Sequence, residues 1–230
     1  MLTFYKSDYQ KFIKIIQDNK LDLKNLVKAD IMHIISEYNK TVPGRDQIQL
    51  IKYLSPQSLS HFELAPEKSN FEKQGNIETQ DGTKLKKEGH QNCLVLLHDG
   101  HIYVHPKVRS DTQNNVIGIN HSSLAKGQNV AFAGSFVHNE DTGWIIENST
   151  GHYGTRATQM RNFLLELEKK MVPIDQLTVK LWIPKDPKNP TASEADYDII
   201  TENAEAFLER TSKSIATIED MDYQSPGKAP

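Results

Sequence analysis

A change in the spacing of apolar residues, from a helical repeat to a strand repeat, most constrains how this chain can fold. Up to about Leu64, apolar residues recur at the i, i+3, i+4 and i+7 spacing of amphipathic helices. Three stripes comprise Tyr9, Phe12, Ile13 and Ile16, then Val27, Ile31, Ile34, Ile35 and Tyr38, and then Ile48, Ile51 and Leu54. A further turn is expected over residues 58–64. The spacing therefore predicts a helical lobe over residues 1–64.

An Asp-Gly pair between two apolar runs predicts a β-hairpin beyond residue 91. Asp99-Gly100 is typical of a two-residue hairpin turn, because both positions of that turn require positive φ angles. Such a turn sets His98 opposite His101. One face of the hairpin then carries Cys93, Val95, Leu97, Ile102 and Val104, and we expect that face to lie in the core.

The rest of the chain predicts one more hairpin, two helices and a strand. The second hairpin pairs residues 129–137 with residues 144–148, and residues 177–183 alternate as a strand. Thr201 is a candidate cap for the last helix. The helix before it carries Met160, Phe163, Leu164, Leu167 and Met171 on one stripe.

These elements together predict an α+β fold. We expect a mixed or antiparallel sheet of hairpins with a packed helix, plus the N-terminal helical lobe. The α+β domain spans residues 91–211. Residues 65–90 form a polar connector or an exposed hairpin closed at Asp81-Gly82, and residues 212–230 form a flexible tail.

Composition excludes several classes of protein. The 27 basic and 30 acidic residues give a net charge of −3, so the basic excess of a nucleic-acid-binding protein is absent. One cysteine excludes an internal disulfide framework and a multi-cysteine zinc site. No apolar run is long enough to span a membrane, and the N-terminus lacks the pattern of a signal peptide. We therefore expect a cytoplasmic protein, with secretion independent of a signal peptide left open.

Neither the hairpin histidines nor the cysteine predicts a reactive site. His98 and His101 supply two ligands, whereas zinc sites need three or four, and His105 lies too far along the strand to join them. We therefore predict no metal site. Cys93 is interpreted as a small buried apolar residue, because its strand neighbours on the same face are apolar.

A first polar motif, NHSSLAKG at residues 120–127, follows an apolar run and marks a strand that enters a short turn. In one interpretation, Ser122 or Ser123 caps the turn by accepting backbone N–H groups, and His121 is a buried structural residue. In the other, His121 is a base or ligand contact and a serine hydroxyl is the donor or nucleophile. No partner carboxylate is identifiable, so a Ser-His-Asp triad is not predicted.

A second polar motif, NSTGHYGTR at residues 148–156, lies between a strand and a helix. Thr155 is a candidate N-cap, and the helix N-terminus beside Arg156 has the features of a phosphate or carboxylate site. Gly151 and Gly154 would free the backbone around that site, and His152 and Tyr153 would line it. The alternative is a structural turn in which these side chains form internal hydrogen bonds.

The order of these motifs resembles the conserved domain of the plant IQ-motif-containing calmodulin-binding protein family. The family pattern reads HSSFLAG, then AG, then SGHY followed by proline, and related domains occur in fungal proteins and secreted bacterial effectors. The likeness covers residues 91–171, with Ala133-Gly134 as the central pair. It implies that His121, Ser122, Ser123, Gly151, His152 and Tyr153 act together.

The chain departs from this pattern at several positions. The Phe of HSSFLAG is missing, Lys126 precedes Gly127, Thr150 replaces a serine, and Thr155 stands where the proline would be. No IQ motif is present, because Ile48-Gln49 lacks the basic residues that should follow it. Calmodulin binding is therefore not implied.

Two functional hypotheses follow. In the first, the chain is an effector-like protein whose two motifs form an anion, nucleotide or ligand pocket, as in a transferase that uses NAD on a host target. Its catalytic residues would be His121, Ser122, Ser123, His152 and Tyr153, with Gly151, Gly154, Thr155 and Arg156 binding a cofactor that the sequence does not identify. In the second, the motifs are structural and the chain is a non-catalytic module that binds a protein partner. Whether the chain is an enzyme stays open between them, and delivery into a host cell is part of the first.

Overall fold

The computed structural model describes residues 2–4, 6–43, 46–87, 91–106, 109–110, 117–150, 153–186 and 194–212. The chain divides into two compact units that are both discontinuous in sequence. The first unit comprises Met1–Leu54 and Val108–Gly127, and the second comprises Ser55–Lys107 and Gln128–Pro230.

Two amphipathic helices form the core of the first unit. Helix α1 spans Lys6–Asp18 and helix α2 spans Lys28–Thr41, as the first two apolar stripes predict. Asn39 fastens α2 to the next segment, because its side-chain amide accepts a hydrogen bond from the Ile48 N–H (2.8 Å) and donates one to the Ile48 C=O (2.9 Å). The buried residues of this core are Phe12, Ile16, Ile35, Ile48 and Leu50.

A small sheet completes the first unit and corrects the third predicted stripe. Strands β1 (Leu2–Phe4), β2 (Leu50–Lys52), β5 (Arg109–Ser110) and β6 (Ile117–Gly118) lie in the order β1-β2-β6-β5. Residues 50–52 are therefore a strand and not part of a helix. Ile48, Ile51 and Leu54 are nevertheless buried as expected, because a short apolar segment fits both repeats and its pairing with β1 and β6 decides between them.

A six-stranded sheet forms the centre of the second unit, in the order β10-β9-β8-β7-β3-β4. Its strands are β3 (Gln91–Leu96), β4 (Ile102–Pro106), β7 (Phe132–Asn139), β8 (Gly143–Glu147), β9 (Thr178–Pro184) and β10 (Tyr197–Asn203). Neighbouring strands pair antiparallel except β8 and β9, which pair parallel. Together with its helices, the sheet confirms the α+β fold class.

The first predicted hairpin forms with a register shifted by one residue. Gly100 (φ +87°) ends a three-residue loop in which its N–H donates to the Leu97 C=O (3.1 Å), so Leu97 rather than His98 lies beside His101. A one-residue shift exchanges the faces of one strand. Leu94 and Leu96 therefore face the core between the large sheet and its helices, together with Val104 and Ile102. Cys93 lies opposite His105 on the other face of the sheet. Cys93 is fully buried there.

Two helices pack on the core face of this sheet. Helix α5 spans Ala157–Lys169 and buries four residues of the predicted stripe: Met160, Phe163, Leu164 and Leu167. The ring of Phe163 stacks on Phe132 of β7, with 4.5 Å between ring centroids. Met171 is a correction, since it follows the helix with φ +61° and is 89% exposed.

The last helix, α6 (Ala204–Ser212), is capped by a residue that differs from the predicted one. Its Phe207 is buried. Residues 197–203 form β10, a strand missing from the sequence prediction, so Thr201 lies within a strand and does not cap the helix. The Asn203 side-chain oxygen instead accepts hydrogen bonds from the N–H groups of Glu205 (2.9 Å) and Ala206 (3.3 Å). Residues 213–230 of the predicted tail lie outside the described residues.

Residues 55–87, which lie between β2 and β3 in the sequence, pack against the sheet of the second unit. Helix α3 spans Pro56–His61, and a turn at Asp81-Gly82 brings Glu78 opposite Lys84. The N–H of Leu64 donates to Ile102 (2.8 Å), so this segment lines the outer edge of β4. Its buried apolar residues are Leu59, Leu64, Ala65, Phe71, Ile77 and Leu85. Among the described helices, none is long and apolar enough to cross a membrane.

Candidate functional site

The first polar motif folds as a single helical turn in the first unit. Helix α4 spans His121–Leu124. The fully buried Ser123 hydroxyl accepts a hydrogen bond from the Asn120 N–H (3.0 Å), and the Ser123 C=O accepts one from the Leu54 N–H (3.3 Å). Asn120 is thus the residue that caps the turn, and Ser123 supports it by accepting its N–H, which is part of the role that the capping interpretation gave to one of the two serines.

The end of this turn explains the glycine of the motif. The Gly127 N–H donates to the Ser122 C=O (2.9 Å), and Lys126 and Gly127 both have positive φ angles, +52° and +76°. A Cβ atom at residue 127 would lie 2.7 Å from the Tyr53 hydroxyl. The positive φ angle of residue 127 thus favours glycine, and the Tyr53 side chain would have to shift to admit a larger residue. His121 is partly exposed at the start of the turn.

The second polar motif lies in the second unit, between β8 and α5. Gly151 and His152, two of its predicted site residues, lie outside the described residues. Tyr153 donates its hydroxyl to the Gln128 C=O (3.2 Å), and Gly154 has a φ of +54°. The structure therefore places the HSS residues in one unit and the described residues of the second motif in the other.

Asn148 and Thr155 hold the ends of this motif to neighbouring strands. The Asn148 amide donates to the C=O groups of Thr155 (2.8 Å) and Trp182 (3.1 Å), and its oxygen accepts from the Trp182 N–H (2.7 Å). The buried Thr155 hydroxyl donates to the Ala133 C=O of β7 (2.7 Å). Both side chains thus satisfy buried backbone groups.

The predicted N-cap at Thr155 is wrong. The residue that precedes α5 is Arg156, and its N–H donates to the Gln159 side-chain oxygen (2.9 Å). The physical reason is the direction of the Thr155 side chain, which points to the buried Ala133 C=O of β7. The helix therefore begins after Arg156, and the long side chain of Gln159 reaches back to accept the Arg156 N–H.

The central Ala-Gly pair lies where two backbone segments almost touch. A Cβ atom at Gly134 would come within 2.2 Å of the Glu147 C=O. The space left by the missing side chain brings β7 against the last residue of β8, directly before the second motif. Gly134 therefore positions the start of that motif.

Sequence reasoning missed a row of chemically versatile side chains across the sheet. The row consists of successive cross-strand partners, one on each of four neighbouring strands: Cys93 on β3, Ser135 on β7, Glu147 on β8 and Lys180 on β9. Directly opposed residues in a sheet point to the same face. Each belongs to a different sequence segment, so only the strand register reveals the row, and no local pattern signals it.

Glu147 is the one carboxylic acid of this row, and its pKa is shifted. Its side chain is 7% exposed, and its carboxylate lies 3.6 Å from the Lys180 ammonium. Burial raises the pKa of Glu147 above its ordinary value, although Lys180 and a hydrogen bond from Gln91 act in the opposite direction. Lys180 also lies 4.4 Å from the centre of the Trp182 ring. A buried carboxyl with a raised pKa is a candidate proton donor or acceptor.

Two buried polar atoms near the second motif lack hydrogen bonds to the described residues. They are the Thr150 Oγ1 and the Trp182 Nε1. Thr150 directly precedes Gly151, and the backbone of Trp182 is held by Asn148. Among the described residues, no three His, Cys, Asp or Glu side chains are grouped closely enough to hold a metal ion.

Comparison of the chain with protein-family models, curated proteins and solved structures found no match.

Proposed function

We propose that this chain is a non-catalytic protein-interaction module whose two polar motifs build the fold. One observation supports this most directly. The hydroxyl groups of Ser123, Tyr153 and Thr155 each bond to a backbone group within the same unit. Hydroxyls used in this way satisfy otherwise unpaired backbone groups, which is what structural residues do. Three of the predicted site residues therefore have a structural explanation that requires no ligand.

The interaction itself is assigned to the open edge of the large sheet. β10 pairs with β9 on one side, and no described strand pairs with its other side. An unpaired edge strand exposes N–H and C=O groups that can hydrogen-bond to a strand of another protein. The opposite edge strand, β4, is covered by residues 62–64 and offers no such template.

Thermal unfolding with and without nucleotide tests this proposal. Ser123→Ala should lower the melting temperature, because it leaves the Asn120 N–H without its acceptor. The exposed Ser60→Ala is the matched control and should change little. NAD and ATP at millimolar concentrations should leave every melting temperature unchanged. A nucleotide-dependent rise that Ser123→Ala removes would contradict the proposal.

A second candidate function is a nucleotide-using transferase, and one observation favours it. Thr150 Oγ1 is buried without a hydrogen bond to the described residues, directly before the predicted Gly151–Arg156 anion site. A phosphate oxygen or a sugar hydroxyl could supply the partner that this atom lacks. Under this hypothesis NAD or ATP raises the melting temperature, and Arg156→Ala abolishes the rise.

The resemblance to domains of secreted bacterial effectors supports a further part of the proposal. We propose that the chain acts in a host-cell cytoplasm after delivery and that its protein partner is a host protein. A reporter fusion should then reach host cells through a type IV secretion system. Failure of the reporter to appear in host cells would count against delivery while leaving the binding function intact.

A further inference from the structure

We propose that β10 binds a basic, extended peptide segment as a seventh strand of the large sheet. This inference rests on the proposed interaction function and adds the chemistry of the partner. In an edge strand, alternate residues direct their N–H and C=O groups away from the sheet. The Ala204 N–H bonds to the Leu177 C=O before β9, so the alternation directs the backbone groups of Ile199, Thr201 and Asn203 outward. These residues offer about three hydrogen-bonding positions to an added strand.

The charge around this edge selects the partner. Residues 194–209 contain six acidic residues and no lysine or arginine: Glu194, Asp196, Asp198, Glu202, Glu205 and Glu209. Lys185 lies 4.0 Å from Asp198, and Arg210 bonds to Glu202. Lys180, the β9 partner of Thr201, is paired with Glu147. The six carboxylates therefore give this segment an excess of negative charge that attracts a basic segment.

The order of side chains along β10 specifies the pattern of that segment. Asp198, Ile200 and Glu202 alternate on one face of the strand, and the half-buried Ile200 packs against the core between the large sheet and its helices. Ile199 lies on the other face beside Trp182. In a complementary strand, two adjacent apolar residues at the centre face Ile200 and Ile199. Basic residues two positions before and two positions after the residue that faces Ile200 then lie opposite Glu202 and Asp198. Read antiparallel to β10, Lys-Thr-Ile-Val-Lys fits this description.

The same charges disfavour a second copy of this chain as the occupant. A two-fold antiparallel pairing centred on Ile200 would place Asp198 of each copy opposite Glu202 of the other. Like charges directly opposite one another destabilise a sheet. Asp198 is held only loosely by Lys185, since both side chains are more than half exposed, and it is therefore available to a basic partner.

Fluorescence polarisation with a labelled, capped Gly-Ser-Lys-Thr-Ile-Val-Lys-Ser-Gly peptide and the full chain tests the inference. Replacing both lysines of the peptide by glutamate should weaken binding at least about tenfold, because two attractions become repulsions. Asp198→Lys in the protein should weaken binding of the basic peptide and strengthen that of the glutamate peptide. Glu209→Lys, which makes the same charge change outside the strand, is the matched control and should have a smaller effect. Circular dichroism confirms that both variants fold.

Two N-methylated peptides test the strand geometry separately from the charge. Each carries one N-methyl group, either on the central Ile or on the adjacent Val. Because successive N–H groups of a strand point in opposite directions, one methylation should abolish binding and the other should not. Amide exchange of residues 197–203 should slow when the unmodified peptide binds.

The outcomes separate this inference from the function on which it rests. If the acidic and basic peptides bind equally and one methylation abolishes both, strand addition stands and the basic partner is overturned. If both methylated peptides bind as tightly as the parent, or if residues 197–203 gain no protection, strand addition itself is overturned. The absence of binding by every peptide overturns the inference as well, and the nucleotide experiment then decides between the two candidate functions.

Discussion

Thr155 is the residue whose role in the second motif is easiest to measure. Its hydroxyl donates to the buried Ala133 C=O, so Thr155→Val keeps the shape of the side chain and leaves that carbonyl without a partner. We expect a loss of about 1–3 kcal/mol in the free energy of unfolding, measured by urea denaturation. The exposed Thr142→Val should cost less than about 0.5 kcal/mol. Equal effects for the two variants would contradict a structural role for Thr155.

Glu147 should make stability depend on pH in a direction unlike that of most carboxyl groups. Its raised folded-state pKa means that, from about pH 4.5 upward, the folded chain holds a proton that the unfolded chain has lost. Stability from this group is therefore fully present below that pH and is lost as pH rises through the folded pKa. The difference in unfolding free energy between wild type and Glu147→Gln should fall with rising pH. The same series on Glu140→Gln, in an exposed turn, corrects for the general effect of removing a charge.

Capping residues show how far single positions could be predicted. Thr155 and Thr201 have the residue type that starts helices, and both were predicted as caps one or two positions too early. Whether each threonine caps a helix depends on the tertiary structure. The Thr155 side chain is directed to the Ala133 C=O, and Thr201 lies within β10. Residue type alone does not contain this information. The capping alternative for Ser123 needed only local geometry, and its buried hydroxyl bonds within its own turn.

At the scale of elements, the β10–α6 junction yields the next prediction. Asn203→Ala should destabilise the chain by about 1–2 kcal/mol, because it removes the cap of α6. The side-chain nitrogen of Asn203 also donates to the Asp175 C=O (2.6 Å), which places the effect toward the upper end. Thr201→Val removes the hydroxyl that the sequence suggested as the cap and should change the midpoint of urea unfolding little. A larger loss for Thr201→Val than for Asn203→Ala would contradict this cap assignment.

Strand existence was easier to predict than strand register. The apolar runs around Asp99-Gly100 predict a hairpin, and one forms. Its loop has three residues instead of two, and this single residue exchanges the core face of β3. Because both faces of β3 are buried, its apolar pattern does not distinguish the two registers. The row from Cys93 to Lys180 depends on three further registers, those of the β3–β7, β7–β8 and β8–β9 pairs, and could not be predicted from the sequence.

At the scale of the whole molecule, the helical and strand spacings of apolar residues predict the α+β class, but they do not predict how the chain divides into units. Periodicity groups residues that are neighbours along the chain, whereas β6 and α4 belong with β2 across more than fifty intervening residues. The pairing of Leu50 with Ile117 and of Ile51 with Gly118 is parallel and long-range. Local patterns do not report such pairings.

This discontinuity predicts that residues 1–64 are incomplete as a folding unit. The fragment contains β1 but lacks β6, the second strand that pairs with β2, and it lacks the Ser123 C=O that accepts the Leu54 N–H. Adding a synthetic peptide of residues 108–127 in trans should supply both and raise the melting temperature of the fragment. Amide exchange at Ile51 and Leu54 should slow in parallel, since β2 gains its second neighbour and Leu54 its acceptor. A peptide of the same composition in scrambled order should do neither. If the fragment melts identically with and without the native peptide, β6 and α4 contribute nothing to the stability of the helical lobe, and the first unit ends in sequence where the helices do.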